Sequence, residues 1–306
     1  MIMPLAGFDQ LYRDADARAE RVPVAVAGGA DRTVLEAVRR AADRDWITPL
    51  LCGRAADIER IAGDQGIALD GLRIFDTPEP AATAVAQVRE GQARILMKGQ
   101  VSTPALMRAV LDADSRLRTG RVICQVVLME IPRDDRRFLL ADTGICVQPS
   151  PEQKLDILRS AVGVAQRLGV AEPRVAVLAA SESVTESMPE TLDALELQRR
   201  SQAGELPGCT VQGPLSFDLA YAADAAEKKR VAGPVAGAAD VLLFPNLVSA
   251  NLTVKAIMYT ADCRYGGMLC GAACPVVFMS RADSTSTRLN SLALAITGVS
   301  CRQSMP

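Results

Sequence analysis

Over residues 22–239, short β-branched runs alternate with longer stretches whose apolar residues recur at helical spacing. That alternation predicts a parallel sheet covered by helices. "VPVAVAGG" reads as the first strand and "RTVLEAVRRAADRD" as the helix behind it, and "ITPLLCG" with "AADIERIAG" repeats the pair. The pattern continues through "LRIFDT", "AATAVAQVREG", "ARILMKG", "TPALMRAVLDA", "VICQVVLME" and "RRFLLADTGI". A second series opens at "PEQKLDILRSAVGVAQRLG", where Pro151 and Glu152 suit a helix start, and runs on through "RVAVLAAS" and "ADVLLFPN". The pivot near residues 147–151 is the expected domain boundary. Late in the chain the apolar run "CPVVFM" ends abruptly in Ser280 and Arg281, and residues 282–288 then hold four hydroxyls, one acid and one base.

The chain has 306 residues, enough for one large or two ordinary domains, and two are expected. Its formal net charge is only -2 and no run of like charge occurs, which argues against a nucleic-acid or acidic-membrane surface and for a small neutral partner. No apolar stretch reaches the roughly 20 residues of a membrane span, and the start of the chain lacks the basic and apolar regions of a signal peptide. A cytoplasmic protein is therefore expected. The cysteines at 52, 124, 146, 209, 263, 270, 274 and 301 show no CxxC spacing and read as small buried hydrophobes, so neither a disulfide nor a zinc site is expected. The most limiting fact is that the chain contains no histidine. Ser-His-Asp and Cys-His catalysis are excluded with the common His-containing metal sites, and proton transfer falls to carboxylates, Lys, Tyr, Cys or substrate groups.

Open parallel sheets bind ligands beyond the carboxyl ends of their strands, so polar residues that directly follow strand runs carry the candidate chemistry. Three clusters qualify. In "LMKGQVSTPALMRAVL", Lys98 ends a strand, Ser102 and Thr103 open a helix, and Arg108 lies farther along it; the GxxxxGK spacing of a Walker loop is missing. Only five of the 34 basic residues are lysines, which lowers the odds that Lys98 is a random surface charge. In "FLLADTGI", Asp142 and Thr143 interrupt an apolar run, the mark of a bulge or turn unless the acid faces a cleft. The third cluster is the Ser280–Arg281 stretch, for which a polar loop and a surface helix are the plain alternative.

Together "ILMKGQVSTPALMRAVL", "LRTG", "MPETLDALEL", "GPLSFDLA", "KKRVAGPVAGAADVLLFPNLVSANLTVKAI" and "GGMLCGAACPVVFMSRADSTSTRLNSLALA" resemble the phosphate acetyl/butyryltransferase family, most closely its phosphate butyryltransferase branch. The likeness runs from about residue 22 to 295. It implies exchange of a short-chain acyl group between coenzyme A and inorganic phosphate, by direct attack of the coenzyme A thiolate on an acyl phosphate without an acyl-enzyme. Such chemistry tolerates the lack of histidine. No metal or bound cofactor is implied, since coenzyme A enters as a substrate. The implied fold is α/β, a two-domain parallel-sheet sandwich of the isocitrate/isopropylmalate dehydrogenase type. Residues 1–147 plus 271–306 would form a first domain on the phosphate and acyl side. Residues 148–270 would form a second, the opposite wall of a cleft, with contacts for a homodimer or higher homo-oligomer.

The resemblance also assigns roles. Arg281 would grip phosphate through its forked N–H donors, helped by the N-terminus of the helix starting near Asp283 or Ser284. Ser280 would donate to the tetrahedral oxygen. Arg108 matches an arginine of the substrate or coenzyme A site, Lys98 the lysine of the branch's "MKG" turn, and Asn251 and Lys255 the family's "GN" and following lysine, with a helix cap or turn amide as the plain role for Asn251. Ser102, Thr103 and Asp283 complete the binding set. Three positions depart from the family pattern: Thr287 replaces the aspartate of the acetyltransferase branch, Gln125 a histidine and Gln212 an acid. The thiol's base is consequently open. Asp142 is the expected base or the residue that orients one, Asp283 is expected to cap backbone N–H groups, and Lys98 with a local positive field is the remaining possibility. A dehydrogenase on this fold lacks support, because neither a GxGxxG turn nor clustered metal-binding aspartates occur. A catalytically silent acyl-CoA or acyl-phosphate binder is the rival reading that Gln125 and Gln212 keep open.

Overall fold

The computed structural model describes residues 4–280 and 282–299. Its strands are β1 (Val22–Ala27), β2 (Ile47–Gly53), β3 (Arg73–Asp76), β4 (Ile95–Lys98), β5 (Cys124–Ile131), β6 (Arg136–Ala141), β7 (Arg174–Leu178), β8 (Thr210–Leu215), β9 (Val241–Leu243), β10 (Arg264–Cys270) and β11 (Val276–Val277). Eleven α-helices accompany them among the described residues. The fold is α/β with mostly parallel pairing, and no described helix is long and apolar enough to cross a membrane. Two compact units form: a terminal unit of Phe8–Arg121 with the chain from Tyr265 onward, and a middle unit of Val122–Arg264 with the residues up to Gly7.

In the terminal unit the strand order is β3-β2-β1-β4-β11-β10. The first five run parallel, and β10 returns antiparallel beside β11. Residues 24–27 of β1 and 95–97 of β4 are wholly enclosed, which explains why these strands read as unbroken apolar runs rather than alternating ones. The helix Arg32–Asp43 buries Val34, Leu35, Ala37, Val38 and Ala41, one stripe at helical spacing, and Asp31 caps its start.

The final helix, Thr285–Ile296, departs from the surface helix that its polar first turn suggested: every residue from Thr287 to Ile296 is buried. Its polar side chains are accommodated by partners. Asn290 accepts from the Tyr12 hydroxyl (2.7 Å) and donates to the Tyr265 carbonyl (3.0 Å). The Ser291 hydroxyl donates to the Thr287 carbonyl (2.8 Å) and accepts from the Gly267 N–H (3.0 Å).

The middle unit has the order β5-β6-β9-β7-β8. Pairs β6–β9, β9–β7 and β7–β8 are parallel, whereas β5 and β6 form an antiparallel hairpin. Here the structure differs from the uniformly parallel alternation expected. The turn Pro132–Asp134 is far too short for a crossover helix, and parallel neighbours need about a dozen connecting residues. The hairpin also moves residues 122–147 into the middle unit. The unit boundaries fall at 121/122 and 264/265, not at the 147/148 and 270/271 of the sequence reading. The helix Pro151–Arg167 begins as its sequence indicates, with Ser150 and Gln153 forming a capping box before Pro151. Lys154 on this helix is enclosed but paired with Asp193 at 2.6 Å.

Candidate active site

The carboxyl ends of β1, β4 and β11 lie side by side: Ala27 pairs with Lys98, and Met97 with Val277. Each strand runs into a tight turn that leads to a helix. Gly28 takes φ +85°, and a side chain there would meet the Gln100 backbone at 2.8 Å, while a side chain on Gly99 would run into the Gly28 carbonyl. The two turns are locked together by the Gln100 N–H donating to the Gly28 carbonyl at 2.7 Å. Glycine is required at this backbone-on-backbone approach.

Lys98 is enclosed at the tip of β4, 3% exposed. Ser102 is the N-cap of the helix Thr103–Leu111, its hydroxyl accepting from the Ala105 N–H at 3.2 Å, with Thr103 and Pro104 opening the first turn. Arg108, farther along this helix, is exposed and makes no ion pair among the described residues. Lys98, Ser102, Thr103 and Arg108 thus follow one another from the strand tip along one helix.

Ser280 lies three residues past Val277, beyond the end of the strand that pairs with that of Lys98, and is exposed. Its backbone is held firmly. The Ser280 N–H donates to Asp283 Oδ2 at 2.6 Å, and its carbonyl accepts from the Asp283 N–H and from Arg288 Nη2, both at 3.2 Å. Its hydroxyl accepts from the Ala282 N–H (3.3 Å) and donates to no described acceptor, so the proton is available to a ligand. Asp283 is buried, with its other oxygen taken by the Tyr265 hydroxyl at 3.1 Å. It fastens the loop; the helix cap is Ser284, which accepts from the Thr287 N–H. Thr287, in the position of the missing aspartate, shares a hydroxyl contact with Ser284 at 3.0 Å. Arg281 lies outside the described residues.

Asp142, Asn251 and Lys255 belong to the middle unit. Asp142 is 4% exposed and accepts four backbone N–H groups: Gln125 (2.9 Å), Gly144 (3.0 Å), Ile145 (3.2 Å) and Cys146 (2.7 Å). Both carboxylate oxygens are engaged in shaping the turn after β6. Gln125 holds the same turn through its carbonyl, which accepts from the Thr143 N–H at 3.2 Å. Asn251 is not a helix cap, since Asn246 caps the helix Leu247–Thr260 by accepting from the Ser249 N–H at 3.0 Å. Asn251 and Lys255 stand one turn apart on this helix and share a face. Gln212 clamps the loop near Pro234, donating to the Ala232 carbonyl and accepting from the Val235 N–H, both at 3.1 Å. Among the described residues no group of three or more His, Cys, Asp or Glu side chains could hold a metal ion.

Arg288 was not singled out from the sequence, where it reads as one more polar residue of a hydroxyl-rich stretch. In the structure it is 2% exposed and bonded to the loop of Ser280. An arginine one turn inside an amphipathic-looking helix carries no sequence mark of burial; only the strongly apolar remainder of the helix, "LNSLALAI", hinted that it goes inside.

The family model described as "Phosphate acetyl/butaryl transferase" matches residues 77–296. The chain belongs to this family. A phosphate butyryltransferase from Clostridium acetobutylicum is 40% identical over 279 residues, covering 90% of this chain and 93% of the relative. A phosphate acetyltransferase from Thermotoga maritima is 38% identical over 281 residues, covering 91% and 96%. The crystal structure of a branched-chain phosphotransacylase from Enterococcus faecalis superposes with a TM-score of 0.80 at 29% identity, covering 90% of this chain and 98% of that one. The family match includes the Lys98 tip, the helix of Arg108 and the Ser280 loop in a single span.

Proposed function

We propose that this chain exchanges a short-chain acyl group between coenzyme A and inorganic phosphate. The observation that carries the proposal is the Ser280 loop: in a chain of this family, an exposed serine with an uncommitted hydroxyl proton stands on a rigidly fastened backbone at the carboxyl end of β11. A fixed donor of that kind stabilises the oxyanion of a tetrahedral acyl intermediate without reorganising, and is worth about 3 kcal/mol of barrier. Arg281 takes the phosphate, and Lys98, Ser102, Thr103 and Arg108 form the adjoining anion-binding strip. Asn251 and Lys255 are assigned to the coenzyme A side of binding.

In the direction of acyl phosphate formation, a phosphate oxygen attacks the thioester carbonyl, the carbonyl oxygen becomes the oxyanion held by Ser280, and the C–S bond breaks with the electron pair leaving on sulfur. The phosphate dianion brings its own nucleophilic oxygen and the thiolate takes its proton from solvent. The balance needs no protein base. This agrees with Asp142 and Asp283, whose oxygens already accept backbone N–H groups that proton uptake would disrupt. We assign Asp142 to orienting the turn after β6 and Asp283 to holding Ser280. No metal or bound cofactor enters this scheme.

The finer fold name implied by the resemblance, isocitrate/isopropylmalate dehydrogenase-like, is supported by the two-unit division and the mixed sheet. A homo-oligomer is supported by the helix Leu247–Thr260, which exposes Val248, Leu252 and Tyr259 along one face. A cytoplasmic location accords with coenzyme A as substrate. The test is thiol release from acetyl-, propionyl- and butyryl-CoA with and without phosphate. Phosphate-dependent release of coenzyme A from at least one is expected; tight acyl-CoA binding without turnover on all three would establish a silent binder instead.

A further inference from the structure

Arg288 is enclosed in the terminal unit without a carboxylate at ion-pair distance among the described residues. Its Nε donates to the Thr33 hydroxyl at 3.0 Å and its Nη2 to the Ser280 carbonyl at 3.2 Å, while Nη1 is buried with no described hydrogen-bond partner. Burial pulls the guanidinium below its ordinary pKa, and Asp31 and Asp283 draw it partly back. Enclosing a cation on these terms costs several kcal/mol, and a neutral, well-packed side chain would serve stability better. The bonds of this cation, rather than its packing, account for its place.

Its bonds show what it connects. Thr33 donates onward to Asp31 Oδ1 at 2.7 Å, and the same oxygen accepts the Val34 N–H to cap the helix Arg32–Asp43. Arg288 consequently ties the loop after β11 to the first turn of the helix after β1, through one carbonyl on one side and one hydroxyl on the other. A guanidinium can do this because its N–H groups are fixed in a plane; a lysine, with a single nitrogen at the end of a flexible stem, cannot hold both acceptors in the same geometry. We propose that Arg288 is a positioning residue for the acyl-transfer site: it fixes the Ser280 carbonyl against Thr33, sets the direction in which the Ser280 hydroxyl meets its ligand, and supplies buried positive charge behind that loop. This rests on the acyl-transfer reading above, and it adds a residue that acts through Ser280 rather than on the substrate.

The test compares wild type with Arg288→Lys and Thr33→Val by two readouts: initial rates of coenzyme A release against phosphate and against acyl-CoA, and the rise in melting temperature produced by inorganic phosphate alone. For Arg288→Lys, kcat should fall about tenfold or more and phosphate KM should rise several-fold, with acyl-CoA KM within about twofold. The phosphate-induced rise in Tm should be lost. Thr33→Val, which removes the Nε acceptor together with the hydroxyl's bond to Asp31, should move the same quantities in the same direction by about threefold. A folded Arg288→Lys with wild-type kinetics and phosphate shift would overturn the proposal, as would equal rises in both KM values. Where Arg288→Lys does not fold, unchanged behaviour of Thr33→Val overturns it. If wild type releases no coenzyme A yet is stabilised by phosphate, and Arg288→Lys abolishes that stabilisation, the acyl-transfer reading fails while the role of Arg288 in ordering a phosphate site stands. A wild type with neither response refutes both.

Discussion

The helices Thr285–Ile296 and Leu247–Thr260 invert the usual relation between composition and burial. The first, in the terminal unit, carries Thr287, Arg288, Asn290 and Ser291 and hides all four. The second, in the middle unit, has Lys255 as its one charged residue, yet leaves Val248 and Leu252 65% exposed and Tyr259 78% exposed. In the first, hydroxyl and amide groups and two of the three guanidinium nitrogens meet acceptors and donors at fixed places, so burial of polar atoms specifies one geometry for the loop that holds Ser280. In the second, much of the roughly 1.5–3 kcal/mol of transfer free energy available per large apolar side chain stays unrealised while the face is uncovered. Buried polarity here fixes the Ser280 loop, whereas exposed apolarity leaves a face uncovered.

Breaking the first half of the comparison should give the largest effect. Ser280→Ala removes the hydroxyl with its uncommitted proton and the bond it accepts from the Ala282 N–H, while the backbone bonds to Asp283 and Arg288 survive. We expect kcat to fall about a hundredfold or more, near 3 kcal/mol, with the melting temperature unchanged. Steady-state thiol-release kinetics beside a thermal melt decide it; a loss of only a few-fold would mean that Ser280 faces no developing charge.

Breaking the second half calls for Leu252→Glu. A carboxylate in the middle of an apolar contact should weaken self-association by about 2 kcal/mol, roughly thirtyfold in Kd, while leaving the monomer folded, since the side chain already faces solvent there. Sedimentation velocity over a concentration series reads this directly. A wild type that is monomeric at every concentration would show that the stripe serves another partner or none.

A smaller effect should come from Asp142→Asn. The amide has one acceptor oxygen where the carboxylate offered two, and its NH2 must face at least one backbone N–H. Destabilisation of about 1–3 kcal/mol is expected, with kcat per folded molecule changed by less than about threefold. Denaturant unfolding measures the first and active-site-normalised kinetics the second. If kcat collapses while stability holds, Asp142 transfers a proton after all.

These contrasts explain what could be read along the chain. Strands β1, β2 and β4 were legible because strands covered on both faces leave continuous apolar runs, and the helix starts at Asp31, Ser102 and Ser150 carry capping side chains. The β5–β6 hairpin was missed because a buried strand looks the same whichever way its neighbour runs; the four residues between the runs held the answer. Ser280, Lys98 and Arg108 were legible as polar residues at strand ends or on the following helix. Arg288 was not, since its value comes from Thr33, 255 positions away, and from a carbonyl that has no letter in the sequence. For Asn251, assigned by resemblance to binding, a helix cap was the plain alternative, and Asn246, five residues earlier, takes that cap.

The smallest effect tests how dry the buried side of the terminal unit is. Cys274, just ahead of β11, is 8% exposed, and burial pushes its thiol up to about 12, against a Leu96 backbone hydrogen bond that favours the thiolate. In the unfolded chain the same thiol ionises near 9.0. Below that pH both states keep the proton and the group contributes nothing. Between 9 and 12 the unfolded chain sheds it while the native state retains it, so native stability falls as pH rises. At pH 10 the loss should be about 1 kcal/mol. Because other groups also titrate in that range, the informative quantity is the stability of wild type minus that of Cys274→Ala, measured by urea unfolding under reducing conditions. That difference should shrink by about 1 kcal/mol between pH 8 and pH 10, because only wild type carries the penalty. A constant difference would mean that water reaches Cys274, and the enclosure of the neighbouring helix Thr285–Ile296 would then have to be judged looser than its buried side chains imply.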